Sequence, residues 1–263
     1  MRRSFFWTRT GALASALLLT AAGAAGALEV QSHGLRITVL SQVMPYKLPR
    51  SQPAPIAVFV AGHLAAADGG IPPQLQRLTI EVNHHGLLQS RGLPICHPHE
   101  VQPATTARAL RNCGPALIGS GRFWAKILLP EQAPYPTKGR LLIFNGLEHG
   151  RHVLLAQIYT SHPFNSAFLI DFAIHRIAKG PYGTELSASL PQALGSWGYL
   201  DRIKLTLRRR YSYRGRELSY FNAACPAPRP ARRASFHLAH VTFSFAGEEQ
   251  IGATVNKTCG VAE

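Results

Sequence analysis

The chain has 263 residues, with 28 Lys and Arg against 13 Asp and Glu, 12 His and four Cys. It carries no Walker phosphate loop and no dinucleotide fingerprint, which excludes ATP- and nicotinamide-dependent chemistry. The length suits one all-β domain with a full hydrophobic core.

Residues 1–27 read as a signal peptide that is cleaved. Arg2, Arg3 and Arg9 form a basic start, 11–22 is a short apolar run, and Ala25-Gly26-Ala27 offers small residues for cleavage before Leu28. Arg2-Arg3-Ser4-Phe5-Phe6 also partly fits a twin-arginine signal, so both export routes stay open. No later stretch supplies about 18 uninterrupted apolar residues, so no membrane span is expected after cleavage. The mature protein is expected to be secreted or extracytoplasmic, in the cell envelope. Removing three of the 28 cations with the leader leaves 25 against 13 acids, a net charge of +12. Such a surface attracts an anionic polymer or a lipid headgroup, and export makes nucleic acid an unexpected partner.

Past the leader, short apolar or alternating runs are separated by Gly, Pro and Asn, the pattern of an all-β chain. Strands are predicted over 35–43, 56–64, 75–83, 116–129, 140–145, 153–160, 167–178, 184–190, 200–213, 217–223, 234–245 and 250–258. Turn chemistry in 179–183 and 214–216 predicts hairpins, since Gly supplies positive φ. One short helix is predicted over 104–112, capped by Thr105 or Thr106 and ended by Gly114. The expected fold is an antiparallel β-sandwich of roughly ten to twelve strands. Residues 28–73 hold N-terminal strands and a Pro-rich connection, either part of the same domain or an extension, and 74–263 form the sandwich domain.

Cys96, Cys113, Cys225 and Cys259 all follow the leader, and an even number in an oxidising compartment predicts two disulfides. The sequential pairing is preferred, with the other two connectivities open. Metal binding by these cysteines is the weaker reading, because no C-x-x-C spacing occurs.

The 200–213 strand separates its side chains by parity. Ile203, Leu205, Leu207, Tyr211 and Tyr213 share one face; Arg202, Lys204, Thr206, Arg208 and Arg210 share the other. Arg202, Lys204, Arg208 and Arg210 are therefore the candidate anion-binding residues. A protective reading stands beside this one, because charge on an edge strand suppresses aggregation. Arg209 breaks the apolar parity, which predicts a bulge, a bend or a sheet edge there.

Histidines cluster at His84-His85, at His97-Pro98-His99-Glu100 and at His149 with His152. His97 and His99 could project alike from an extended segment, but no H-E-x-x-H occurs and the clusters read as surface or loop histidines, with no metal or cofactor expected. Asp171 with His175 is the most acid–base-like pair, and an outward polar face formed by Asp171, Ala173 and His175 is the favoured reading of it. No nucleophile elbow is present, so no catalytic residue is assigned.

The phrases Arg91-Gly92-Leu93-Pro94-Ile95-Cys96, Pro103-Ala104-Thr105-Thr106, Asn112-Cys113-Gly114-Pro115-Ala116-Leu117-Ile118-Gly119, Pro181-Tyr182-Gly183-Thr184 and Leu194-Gly195-Ser196-Trp197-Gly198-Tyr199 carry a resemblance. From Gln74 to the C-terminus the chain resembles a group of exported actinobacterial proteins of unknown function, and the resemblance covers all four cysteines. It implies no activity.

The sequence thus supports a non-enzymatic, exported β-sandwich, a structural or binding module of the envelope for an anionic or amphiphilic partner. Two alternatives stand beside it: a hydrolase of envelope polymers using loop His and Asp, and a lipid carrier whose curved sheet encloses an apolar cavity. A large open apolar cavity would favour the carrier, and a cleft joining His to a carboxylate would favour the hydrolase.

Overall fold

In a computed structural model of the protein, describing residues 26–128, 131–190, 198–247 and 249–262, alternation of buried and exposed residues builds one long sheet. The predicted leader lies outside the described residues except for Gly26 and Ala27, which begin the first strand. The main-sheet strands are β1 (Gly26–Ser32), β2 (Leu35–Met44), β3 (Lys47–Leu48), β5 (Ala57–Ala66), β6 (Leu75–Asn83), β8 (Leu117–Ile127), β9 (Tyr135–Glu148), β10 (Arg151–Thr160), β11 (Ser166–Arg176), β12 (Tyr182–Ser189), β13 (Gly198–Leu207), β17 (Arg233–Phe245) and β18 (Gln250–Val261). Their spatial order is β1-β2-β5-β13-β8-β9-β10-β11-β12-β6-β17-β18-β3. Every ladder is antiparallel except the short β3–β18 pairing.

The sheet curls until its two halves face each other, and this makes the sandwich. β1 lies against β18, and Leu35, Ile37, Val39 and Leu64 of one half pack on Phe245, Ile251 and Val255 of the other. β1 and β18 meet by packing and not through a ladder, so the curled sheet keeps β1 and β3 as its edge strands. Of the strands in 28–73, β1, β2, β3 and β5 belong to this same sheet, β5 pairing with β13.

One end of the curl is plugged. Three short strands, β4 (Ala54–Pro55), β7 (Gly86–Leu88) and β16 (Phe221–Ala223), form a small sheet there, beside the hairpin of β14 (Arg210–Tyr213) and β15 (Arg216–Ser219). Tyr211, Tyr220 and Phe221 from these elements join Val43, Ile118 and the Cys225–Cys259 bridge in one buried cluster. At the β14–β15 turn Arg214 and Gly215 take φ of 52° and 71°, the mirror-image turn that a two-residue hairpin needs.

A second layer covers the outside of β9 and β10. It consists of α1 (Pro98–Val101) and α2 (Thr106–Cys113), followed by a 3-10 turn over Gly114–Ala116. The Thr105 hydroxyl accepts from the Arg108 amide at 3.2 Å and caps α2, the predicted helix. This layer explains why 141–144 and 153–156 are apolar on both parities: Leu141, Ile143 and Leu154 face the sheet interior, while Leu142, Phe144 and Leu155 face the helices. Gln157, fully buried beneath the layer, donates to the Ala104 carbonyl at 2.7 Å.

All twelve predicted strands are present, two of them divided. The 200–213 prediction becomes β13 and β14, and 217–223 becomes β15 and β16. β1, β3, β4 and β7 were not foreseen; three of these have only two or three residues, too few for a period to show. Arg209 marks the first break as its parity suggested: the Arg208 amide makes the last bond towards β8, to Ile118 at 3.0 Å, and the chain then leaves for the β14–β15 hairpin. Arg209 is half-buried and donates to the Pro115 carbonyl at 2.8 Å.

Both disulfides form in the sequential pairing. Cys96–Cys113 joins the segment before α1 to the end of α2, and Cys225–Cys259 joins the chain after β16 to β18. Two buried bridges fit an oxidising, extracytoplasmic environment. No helix among the described residues is long and apolar enough to cross a membrane.

Candidate functional site

The end of the curl opposite the plug holds a partly open cavity of about 380 Å³. Strand alternation builds its wall. Phe123, Ala125 and Ile127 of β8 point inward from successive odd positions, Ile158 comes from the end of β10, and Phe168 and Ile170 come from β11. Leu64, Leu75, Leu190 and Leu200 complete the apolar lining. Phe164, in the β10–β11 connection, stands at the opening and is 47% exposed. Packed interiors hold few voids larger than a water molecule, so this volume is well beyond packing slack and lies within the range of small-ligand sites.

The polar groups of the lining are few. The Thr137 and Thr160 hydroxyls lie 2.8 Å apart and both stand within hydrogen-bond reach of the His162 carbonyl, so their two protons are taken up by one another and by that carbonyl and they offer little to a ligand. Lys126 is the one charged residue in the lining among the described residues; it is exposed, with Nζ 5.9 Å from the centroid of the Tyr199 ring, which also lines the cavity. The site therefore pairs an apolar interior with a single cation at its edge. It can take an apolar chain and meet a negative group at the opening; among the described residues its lining includes no carboxylate, thiol or imidazole.

Sequence reasoning missed this site, because its residues come from seven strands and each alone reads as an ordinary core position. The one available signal was Lys126, a cation at the end of an apolar strand.

The predicted anion-binding residues separate in space. Arg202 and Lys204 are exposed on the outer face of β13, as parity required. Arg202 lies over Trp124, 5.8 Å from the ring centroid. Arg208 and Arg210 are exposed too, but they follow β13 and flank the start of the β14–β15 hairpin, where Arg210 pairs with Ser219. The curl instead brings cations of other strands beside the first pair: Lys204 is opposed by Arg122, which is opposed on its other side by Arg140.

The remaining candidates are dispersed. His97 and His99 stack at 5.7 Å between centroids on α1, His84 Nε2 lies 2.8 Å from the Gly180 carbonyl, and His149 occupies the β9–β10 turn with φ of 46°. Among the described residues one group has metal-ligand proximity, Cys96, Glu100 and Cys113, and the disulfide engages both sulfurs. Asp171 and His175 are exposed on β11, and the neighbour of Asp171 is Glu148. Burial, followed by the charge and hydrogen bond of Asp171, pushes the Glu148 carboxyl above its ordinary value.

A His–carboxylate pair that the sequence reading did not identify is His63 with Asp201, 3.2 Å apart. Asp201 reaches His63 because a bulge between Leu200 and Arg202 displaces it from the strand register. Neither residue lines the cavity. No family model, curated protein or solved structure matches the chain.

Proposed function

We propose that the protein is an exported, non-enzymatic binding module for an amphiphile, whose apolar chain occupies the cavity and whose anionic head meets Lys126. The observation that carries this reading is the 380 Å³ apolar cavity at the open end of the curl. Each methylene removed from water gains about 0.8 kcal/mol, so a chain of about eight carbons gains about 6 kcal/mol before ordering costs. The leader-like residues 1–27, the two disulfides and the high positive charge support a place outside the cytoplasm, in a cell envelope. A hydrolase is less well supported, since the His63–Asp201 pair stands outside the cavity that would hold a substrate.

The test is titration of the mature protein with a fluorescent fatty-acid probe, alongside native mass spectrometry for co-purified lipid. Ala125→Trp fills the cavity from β8 and should weaken probe binding at least about tenfold, with both disulfides and the circular dichroism unchanged. Saturable binding that survives Ala125→Trp undiminished, or a parent protein that binds no probe and carries no lipid, would overturn the proposal.

A further inference from the structure

The outer face of β13, β8 and β9 carries two cross-strand rows with no acid in them. The first is Lys204, Arg122 and Arg140; the second is Arg202, Trp124 and Lys138. Lys126, opposite Tyr199, follows at the open end of the curl. All six cations are exposed, and none forms an ion pair among the described residues. The acid beside them, Asp201, is held by His63. Directly opposed side chains stand about 5 Å apart, so Lys204 against Arg122 and Arg122 against Arg140 repel in the free protein. Interleaved acids would give solubility without that repulsion, and an anionic surface relieves it.

Apolar side chains extend the same face. Leu40 and Phe59 are each 40% exposed. Leu40 continues the first row through Ala61 to Lys204, and Phe59 is opposed by Thr206. A soluble polyanion needs only the cations. A bilayer also engages apolar and indole side chains at its interface, and Lys126 belongs both to this face and to the rim of the cavity.

We infer that the outer face of β13, β8 and β9 docks on an anionic lipid bilayer, placing the cavity mouth where an amphiphile can pass between membrane and protein. For what is exchanged, this rests on the amphiphile reading above; the docking itself does not.

Vesicle flotation tests it, comparing phosphatidylcholine vesicles with vesicles that also contain phosphatidylglycerol. The parent should partition onto the anionic vesicles alone and be released by salt. Each cation near an anionic bilayer is worth about fivefold in partitioning, so the combined Arg122→Gln, Arg140→Gln and Lys204→Gln variant should lose about a hundredfold. Combined Arg208→Gln and Arg210→Gln should change little. Phe59→Ser should reduce partitioning onto vesicles while leaving retention on dextran sulfate unchanged.

Undiminished flotation of the triple variant would overturn the inference. So would vesicle binding indifferent to Phe59→Ser in a parent retained equally by dextran sulfate, which would make the face a polymer site. Fatty-acid probe titration without vesicles separates the two proposals: docking that depends on these cations in a protein that binds no probe would support the membrane face and overturn the amphiphile reading.

Discussion

Phe123 lies across Gly139, the residue directly opposite it on the neighbouring strand, and fills the space where a side chain would stand. A Cβ on Gly139 would come within 2.6 Å of Phe123 Cε1 and would collide with the Tyr159 carbonyl oxygen. Phe123 is 4% exposed and lines the cavity, so the bare backbone at Gly139 sets the position of part of the cavity wall. Gly139→Ala should therefore destabilise the protein by about 1–3 kcal/mol, the range for overpacking, and weaken probe binding by displacing Phe123. Urea unfolding and probe titration check the two effects together. An unchanged midpoint would show that the sheet absorbs the methyl group.

The two disulfides should contribute unequally. Cys96 and Cys113 are 17 residues apart, and Cys225 and Cys259 are 34 apart. In the loop-entropy account these closures correspond to about 3 and about 4 kcal/mol. Combined Cys225→Ala and Cys259→Ala should therefore lower the unfolding free energy more than the Cys96→Ala and Cys113→Ala pair. Denaturant midpoints with matched slopes decide the order. The reverse order would mean that the helical layer relies on its bridge more than the plug does.

Glu148 links stability to acid pH. Its carboxyl is raised by burial and by Asp171, so the folded protein holds the proton more tightly than the unfolded chain does. The contribution is fully present below the unfolded carboxylate value, and it is lost as pH rises through the raised folded value. Glu148→Gln removes the ionisation. The melting temperature of the parent should thus fall relative to the variant as pH rises through that window, and parallel curves would contradict the linkage.

At alkaline pH the plug should fail first. Burial pushes the Tyr220 phenol far above its ordinary value, with the neighbouring Tyr211 adding to the shift, and burial raises Tyr211 as well. The Tyr211 hydroxyl donates to the carbonyls of Gln89 and Arg91 at 3.1 and 3.0 Å. Stability from both groups is intact below the unfolded tyrosine value of about 10 and is lost as pH rises through the folded values. Phenolate absorbance should show these two tyrosines ionising only on unfolding, and Tyr220→Phe should move alkaline unfolding to higher pH. Early ionisation of all eight tyrosines in the folded protein would contradict this.

Much of the fold is legible in the chain because strand alternation is a local property. The period in 203–207 places Arg202 and Lys204 outside and Leu205 inside whatever the neighbouring strands are. Cysteine parity is similarly a property of the residues: four cysteines predict two bridges, and both form in the preferred sequential pairing. Even the break at Arg209 could be read, since one charge on an apolar parity is enough to locate it.

The curl and the cavity could not be read in this way. They depend on which strands become neighbours, and β13 inserts between β5 and β8, from which it is separated in sequence by many elements. That insertion opposes Lys204 to Arg122 and brings Leu200 and Phe123 to one apolar wall. The sequence by itself determined an all-β, basic, disulfide-braced chain, because periodicity, charge and cysteine parity are properties of the residues alone. Tertiary structure decided that the sheet curls back on itself around an open apolar end and that the cations gather beside it, because both follow from long-range register.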